Sequence, residues 1–202
     1  MGCITSTQDC ACIKNCFDTI QDLPSEDLEV LKSKTIYDEN TIKEMHKRFT
    51  KNCPNGRLTP QKFIEMCNTL SLKGNAEDYC DHVFRTFDAD KNGFIDFKEF
   101  LLALYITCDG TAEEKLEAAF RMHDVDGNGI IDLDEMTKVL RAIYGMVGEG
   151  SSDAAFRAEE MTRNIFDRMD KNKDGYLTEE EFVQGCLQDN ELSKMFVPNA
   201  MQ

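Results

Sequence analysis

Residues 88–99 read DADKNGFIDFKE, and the same pattern returns at 124–135 (DVDGNGIIDLDE) and at 170–181 (DKNKDGYLTEEE). Each copy runs Asp, any residue, Asp or Asn, any residue, Asp or Asn, Gly, then an apolar residue two places after the glycine, and closes on Glu. This is an oxygen cage written into the chain, since a hard divalent cation takes about six to eight oxygen ligands at roughly 2.3–2.6 Å. In the first copy Asp88, Asp90 and Asn92 supply side-chain oxygens, Phe94 its backbone carbonyl, Asp96 an oxygen acting through water, and Glu99 both carboxylate oxygens. The second copy offers Asp124, Asp126, Asn128, Ile130, Asp132 and Glu135 in the same roles; the third offers Asp170, Asn172, Asp174, Tyr176, Thr178 and Glu181. Gly93 follows the first three ligands because the chain turns back there through a conformation costly for a residue with a Cβ.

These are EF-hand calcium loops. One such stretch is also compatible with a solvated turn; three, spaced 36 and 46 residues apart with the side-chain positions filled, mark a repeat. Three Ca²⁺ are expected, with Mg²⁺ an alternative occupant at rest. The first two complete loops carry four acids at ligand positions, but 170–181 carries only Asp170, Asp174 and Glu181. More ligand charge tightens binding, so that last loop is expected to be the weakest.

EF-hands pair through a short two-stranded contact, and an odd count demands a partner. It lies at 51–62 (KNCPNGRLTPQK), where Gly56 and Leu58 keep register but Lys51, Cys53 and Lys62 stand at ligand positions one, three and twelve. Two ammonium groups repel a divalent cation, so this loop is expected to be structural, with Leu58 pairing Ile95 and Ile131 pairing Leu177. Helical spacing of Ile42, Met45 and Phe49, the Thr59-Pro60 start, and capping boxes at Thr111–Glu114 and Thr178–Glu181 supply the flanking helices. The fold class is all-α, an EF-hand protein with two lobes, each a pair of hands joined by a short two-stranded loop contact. The divisions are 1–38, an acylated N-terminal segment; 39–108, the first lobe; 109–189, the second lobe; and 190–202, a tail. Cys108-Asp109-Gly110 reads as the joint between lobes and 148–152 (GEGSS) as a flexible connector.

Composition agrees with this reading. Thirty-eight Asp and Glu against 23 Lys and Arg leave a formal charge of −15 across 202 residues, which argues against nucleic acid as a partner. A hydrophobic content of 41% is too high for a disordered acidic tail. No stretch approaches the roughly 20 apolar residues of a membrane span, and no basic-then-apolar start marks a secretory signal. Nine cysteines are therefore expected to stay reduced, as in the cytosol.

Taken together, the Cys53-Pro54-Asn55-Gly56 turn inside a dead first hand, the three intact loops, and the stretches YCDHVFRTFDADKNGFIDFKEFLLAL and EEKLEAAFRMHDVDGNGIIDLDEM resemble the neuronal calcium sensor family. That family includes recoverin, frequenin, hippocalcin, the guanylate cyclase activators and the potassium-channel-interacting proteins. The resemblance runs from about Leu31 to Val197; the start, 148–158 and the tail depart from it, so the subfamily stays open. It implies a calcium sensor that regulates a membrane-associated channel, cyclase or kinase. Met1-Gly2-Cys3-Ile4-Thr5-Ser6 fits the pattern for N-myristoylation on Gly2. One such chain holds a membrane only marginally. With nine acids and six bases in residues 1–50 no polybasic patch helps, so palmitate on Cys3 is the candidate second anchor. The expected location is cytoplasmic, peripheral on the cytosolic face of membranes. Cys10, Cys12 and Cys16 read as further acylation sites, zinc ligands or one face of a helix; Cys67, Cys80, Cys108 and Cys186 read as buried or partly buried hydrophobes.

Calcium is expected to open the first lobe and present Phe49, Phe63, Tyr79, Phe84, Phe87, Phe100, Leu101 and Leu104 to a target helix or peptide, although the same residues also read as plain core. By family analogy Glu191–Phe196 is expected to fill that groove when no target is present. Two other classes compete: a calcium buffer, and the regulatory subunit of a calcium-dependent enzyme. Catalysis by the chain itself is not expected, because His46, His82 and His123 lie far apart in sequence and no nucleophile motif is present. The oligomeric state is not legible.

Overall fold

A computed structural model describes residues 23–68, 77–146 and 151–197. Among these residues the chain forms ten α-helices and one two-stranded sheet. The first lobe holds α1 (Ser25–Lys34), α2 (Glu39–Asn52), α3 (Pro60–Asn68), α4 (Glu77–Phe87) and α5 (Phe97–Asp109). The second holds α6 (Ala112–His123), β1 (Ile130–Asp132), α7 (Leu133–Met146), α8 (Ser151–Met169), β2 (Tyr176–Thr178), α9 (Glu179–Gln188) and α10 (Asn190–Phe196).

The helix starts follow from local chemistry. Asp38 caps α2 by accepting from the Thr41 amide at 2.7 Å. Reciprocal capping boxes open α5 (Asp96 with Glu99), α6 (Thr111 with Glu114) and α9 (Thr178 with Glu181), each satisfying amide donors that a helix start leaves free. The loops pair as the sequence implies. Leu58 and Ile95 exchange amide-to-carbonyl bonds of 2.9 Å each way, and Ile131 faces Leu177 in the antiparallel β1–β2 ladder. All four side chains are fully buried.

Each lobe has its own core. Leu31, Ile42, Phe49, Leu58, Ile95 and Leu101 centre the first; Leu116, Ile131, Met136, Ile165, Leu177 and Phe182 centre the second. Helix α1, which lies ahead of the first hand, belongs to the first core through Leu28 and Leu31, and Met146 at the end of α7 reaches into it from the second lobe. Gly110 ends α5 and Thr111 caps α6, so a single short turn separates the lobes.

Three expectations change. The tail does not fill the first lobe: α10 folds back onto the second, with Leu192 and Val197 buried there and the Phe196 ring 4.7 Å from Phe182 and 5.2 Å from His123. The reason is the turn at Asp189, one residue after α9. It accepts from the Glu191 and Leu192 amides and pairs with Arg168, so the chain reverses before it can reach the other lobe. Ser151 and Ser152, read as connector, begin α8; residues 147–150 lie outside the described ones. Lastly, Cys53, Cys67, Cys80 and Cys186 are free, but Cys108 is disulfide-bonded. It sits half-buried in the last turn of α5.

Candidate calcium sites

The loop at 88–99 is built around two carboxylates. Asp88, buried at the end of α4, accepts from the Asn92 and Gly93 amides at 3.0 Å each, which folds the loop over it. Glu99, in the first turn of α5, reaches back: its Oε1 accepts from the Ala89 and Asp90 amides (2.9 and 3.2 Å) and its Oε2 from the Asp96 amide (3.0 Å). Gly93 holds φ +87°, the left-handed turn that the glycine at this position permits. As a result one carboxylate oxygen each from Asp88, Asp90 and Glu99 lie within 4.8 Å of one another.

The loop at 124–135 repeats this geometry. Asp124 accepts from Asn128 (3.1 Å) and Gly129 (3.0 Å), while Glu135 accepts from Val125, Asp126 and Asp132 (2.8, 3.1 and 3.1 Å). Asp124, Asp126 and Glu135 converge within the same 4.8 Å. Three like charges at that spacing repel unless a cation neutralises them.

The loop at 170–181 is different. Asp170 accepts from the Gly175 amide at 3.0 Å, but its Oδ1 is buried without a partner. Glu181 turns to Thr178, accepting from its amide (3.1 Å) and its hydroxyl (2.9 Å), rather than reaching the start of the loop. Its carboxylate does not join those of Asp170 and Asp174 in a converged set among the described residues. An open cleft of ≈ 370 Å³ lined by Lys171, Asn172, Thr178, Glu181, Gln184 and Gln188 lies beside it. Asn172 and Asp174 bond each other at the loop tip (2.9 Å), and Tyr176 is exposed.

The first loop contributes no acid at its ends. It contributes structure: Gly56 takes φ +72°, Cys53 is buried, and the Arg57 guanidinium lies 4.3 Å over the Phe94 ring. The eight residues expected to meet a target gather in or against the first core. Phe49, Phe63, Phe84, Phe100, Leu101 and Leu104 are buried in it and Tyr79 and Phe87 pack against it, so the first lobe is closed here.

Sequence reading missed Arg85 on α4. Its Nη2 donates to the Met122 carbonyl at 2.6 Å, across the lobes, and its cation faces Asp124 and Glu135 of the next loop. Burial lowers its pKa first, and the two carboxylates oppose that. No local pattern marks an arginine as an inter-lobe contact. Gly2, Cys3, Cys10, Cys12 and Cys16 lie outside the described residues. Among the described residues no helix is long and apolar enough to cross a membrane.

Paired helix–loop–helix units with acid-rich loops define an EF-hand calcium-binding protein, and two family models, each described as an EF-hand domain pair, match residues 54–107 and 113–187. The chain is 43% identical over 169 residues to neuronal calcium sensor 1 of Lymnaea stagnalis, covering 83% of this chain and 88% of the relative. It is 38% identical over 149 residues to guanylyl cyclase-activating protein 1 of Gallus gallus (74% and 73%), and 36% identical over 85 residues to human recoverin (42% of each). The chain belongs to the neuronal calcium sensor family, and as a member it is a calcium sensor that acts on target proteins.

Proposed function

We propose that the chain binds three Ca²⁺ and signals to a membrane-associated target through its first lobe. The ligand sets are Asp88, Asp90, Asn92, Phe94 and Glu99; Asp124, Asp126, Asn128, Ile130 and Glu135; and Asp170, Asn172, Asp174, Tyr176 and Glu181. Asp96, Asp132 and Thr178 act through water. The observation that carries this reading is the convergence of carboxylates in the second and third loops beside a first loop ending in Lys51 and Lys62. Mg²⁺ is the resting competitor for the same oxygens.

Cation binding relieves the repulsion in each loop and redirects the helices that carry its ends. Residues 39–108 then part along the seam where Phe63 meets Phe84 and Phe87, and Phe49, Tyr79, Phe100, Leu101 and Leu104 line the opened surface for a target helix. The name of guanylyl cyclase-activating protein 1 makes a cyclase one candidate target; a channel or kinase fits the same surface. Myristate on Gly2, supplemented by palmitate on Cys3, holds the chain on the cytosolic face of a membrane. Residues 109–189 act as the second calcium lobe.

Native mass spectrometry of the calcium-titrated full chain tests the ion count. Three bound Ca²⁺ are expected, falling by one in each of Glu99→Gln, Glu135→Gln and Glu181→Gln. Four ions, or a count unchanged by these substitutions, would overturn the assignment.

A further inference from the structure

Two thiols meet outside the calcium loops, where the exit helix of the first hand packs on the entering helix of the second. Phe63 of α3 lies edge-on to Phe84 (5.8 Å) and Phe87 (5.9 Å) of α4. One turn beyond Phe63 stands Cys67, and one turn before Phe84 stands Cys80. Residues four apart share a helix face, so on helices packed in opposite directions the register that joins Phe63 to Phe84 also joins Cys67 to Cys80. The two thiols are near enough for each to shift the other's ionisation. Cys80 is 1% exposed in the first core, Cys67 is half-buried against it, and both are free.

We propose that Cys67 and Cys80 are a redox-sensitive dithiol, closed to a disulfide by a peroxide, that clamps α3 to α4. That the clamp hinders target binding rests on the first-lobe surface proposed above. A disulfide requires Cα atoms about 4.4–6.8 Å apart, a separation open to facing cysteines on touching helices because the side chain is small. The contact with Cys67 holds Cys80 below the usual thiol range, and the contact with Cys80, together with burial, pushes Cys67 above it. One thiol of the pair, ionised, attacks a peroxide oxygen, the O–O bond breaks, and a sulfenic acid and one water result. The second thiol then displaces the sulfenic hydroxyl as another water, forming the S–S bond. Two sulfurs lose two electrons and one peroxide becomes two waters.

The consequence lies in the seam. With α3 bonded to α4 one turn away, Phe63 cannot part freely from Phe84 and Phe87, while the calcium loops at 88–99 and 124–135 keep their ligands.

The test compares reduced full-length chain with chain treated with hydrogen peroxide, blocked with N-ethylmaleimide and digested with trypsin. Cleavage after Lys62, Lys73 and Arg85 puts Cys67 in peptide 63–73 and Cys80 in peptide 74–85. The expected product is those two peptides joined and lacking two hydrogens, lost on reduction and absent in Cys67→Ser. Recovery of both cysteines as maleimide adducts, or joined to other cysteines instead, would overturn the proposal without needing any variant to fold. The second readout is calcium-induced fluorescence of a hydrophobic-surface dye. Oxidation should remove part of that signal in the wild-type chain, reversibly, and leave Cys67→Ser unchanged; the second lobe contributes equally to both states and cancels. A bond with no loss of signal overturns the clamp. A reduced chain with no calcium response refutes the surface itself and the clamp's effect with it, leaving the bond judged by mass alone.

Discussion

Replacing Thr178 with Asp should strengthen calcium binding at 170–181, the site proposed to be the weakest. Thr178 stands at position nine of the last loop, where the two other complete loops carry Asp96 and Asp132. As the N-cap of α9 its hydroxyl accepts from the Glu181 amide at 3.2 Å, a task Asp96 performs for α5 at 2.9 Å, so aspartate keeps the cap. It also removes the hydroxyl that donates to Glu181 Oε2 at 2.9 Å, freeing that carboxylate to swing toward Asp170. The added charge acts on a divalent ion through one water. At about 4 Å in water a unit pair is worth about 1 kcal/mol, and a doubly charged ion about twice that. After ionic screening about 1–2 kcal/mol remains, a factor of roughly 5–30 in affinity. Isothermal titration calorimetry of the full chain reads this as tightening of the lowest-affinity event, which Glu181→Gln should abolish. An unchanged weakest event, or a shift confined to the two stronger ones, would refute the assignment of the weak site to 170–181.

Other consequences follow from the same structure. Gly2→Ala should abolish sedimentation of acylated chain with liposomes; equal sedimentation of both forms would remove the lipid anchor. Phe182→Ala, which empties a fully buried ring packed on Phe120 and Phe196, should cost about 3–5 kcal/mol in urea unfolding of the calcium-free chain. Burial, ahead of the nearby Arg85 charge, lowers His82 from 6.5 to about 4. The unfolded chain therefore takes up a proton as pH falls through about 6.5 while the folded chain refuses it until about 4, and stability present at neutral pH is lost across that window. His82→Gln should flatten the decline of the urea midpoint between pH 7 and pH 5; an identical slope would show that His82 does not drive it.

The ligand loops were legible because coordination chemistry fixes residue type at fixed spacing, and the loop pairs Leu58–Ile95 and Ile131–Leu177 followed from one apolar position per loop. The capping boxes at Thr111 and Thr178 were legible for the same local reason. What escaped is set by distant contacts. Nothing within residues 25–34 announces that Leu28 and Leu31 complete the first core. The tail's direction depends on Asp189 meeting Arg168, 21 residues away. The inter-lobe reach of Arg85 to Met122 spans 37 residues. The contrast between Glu135, bonded across its loop, and Glu181, bonded to its own cap, is invisible in two loops that both end in glutamate. Charge counting ranked the last loop weakest, and its unconverged carboxylates supply an independent reason to expect the same order.

Conversion of buried apolar surface into a docking face by calcium is what separates a sensor from a buffer. Retention of the full chain on a phenyl resin measures it directly. The chain should bind in calcium and elute with chelator, with retention weakened in Phe49→Ala and Phe84→Ala chains that keep their helical circular dichroism. Equal elution with calcium and with chelator, in a chain shown to bind its ions, would contradict it.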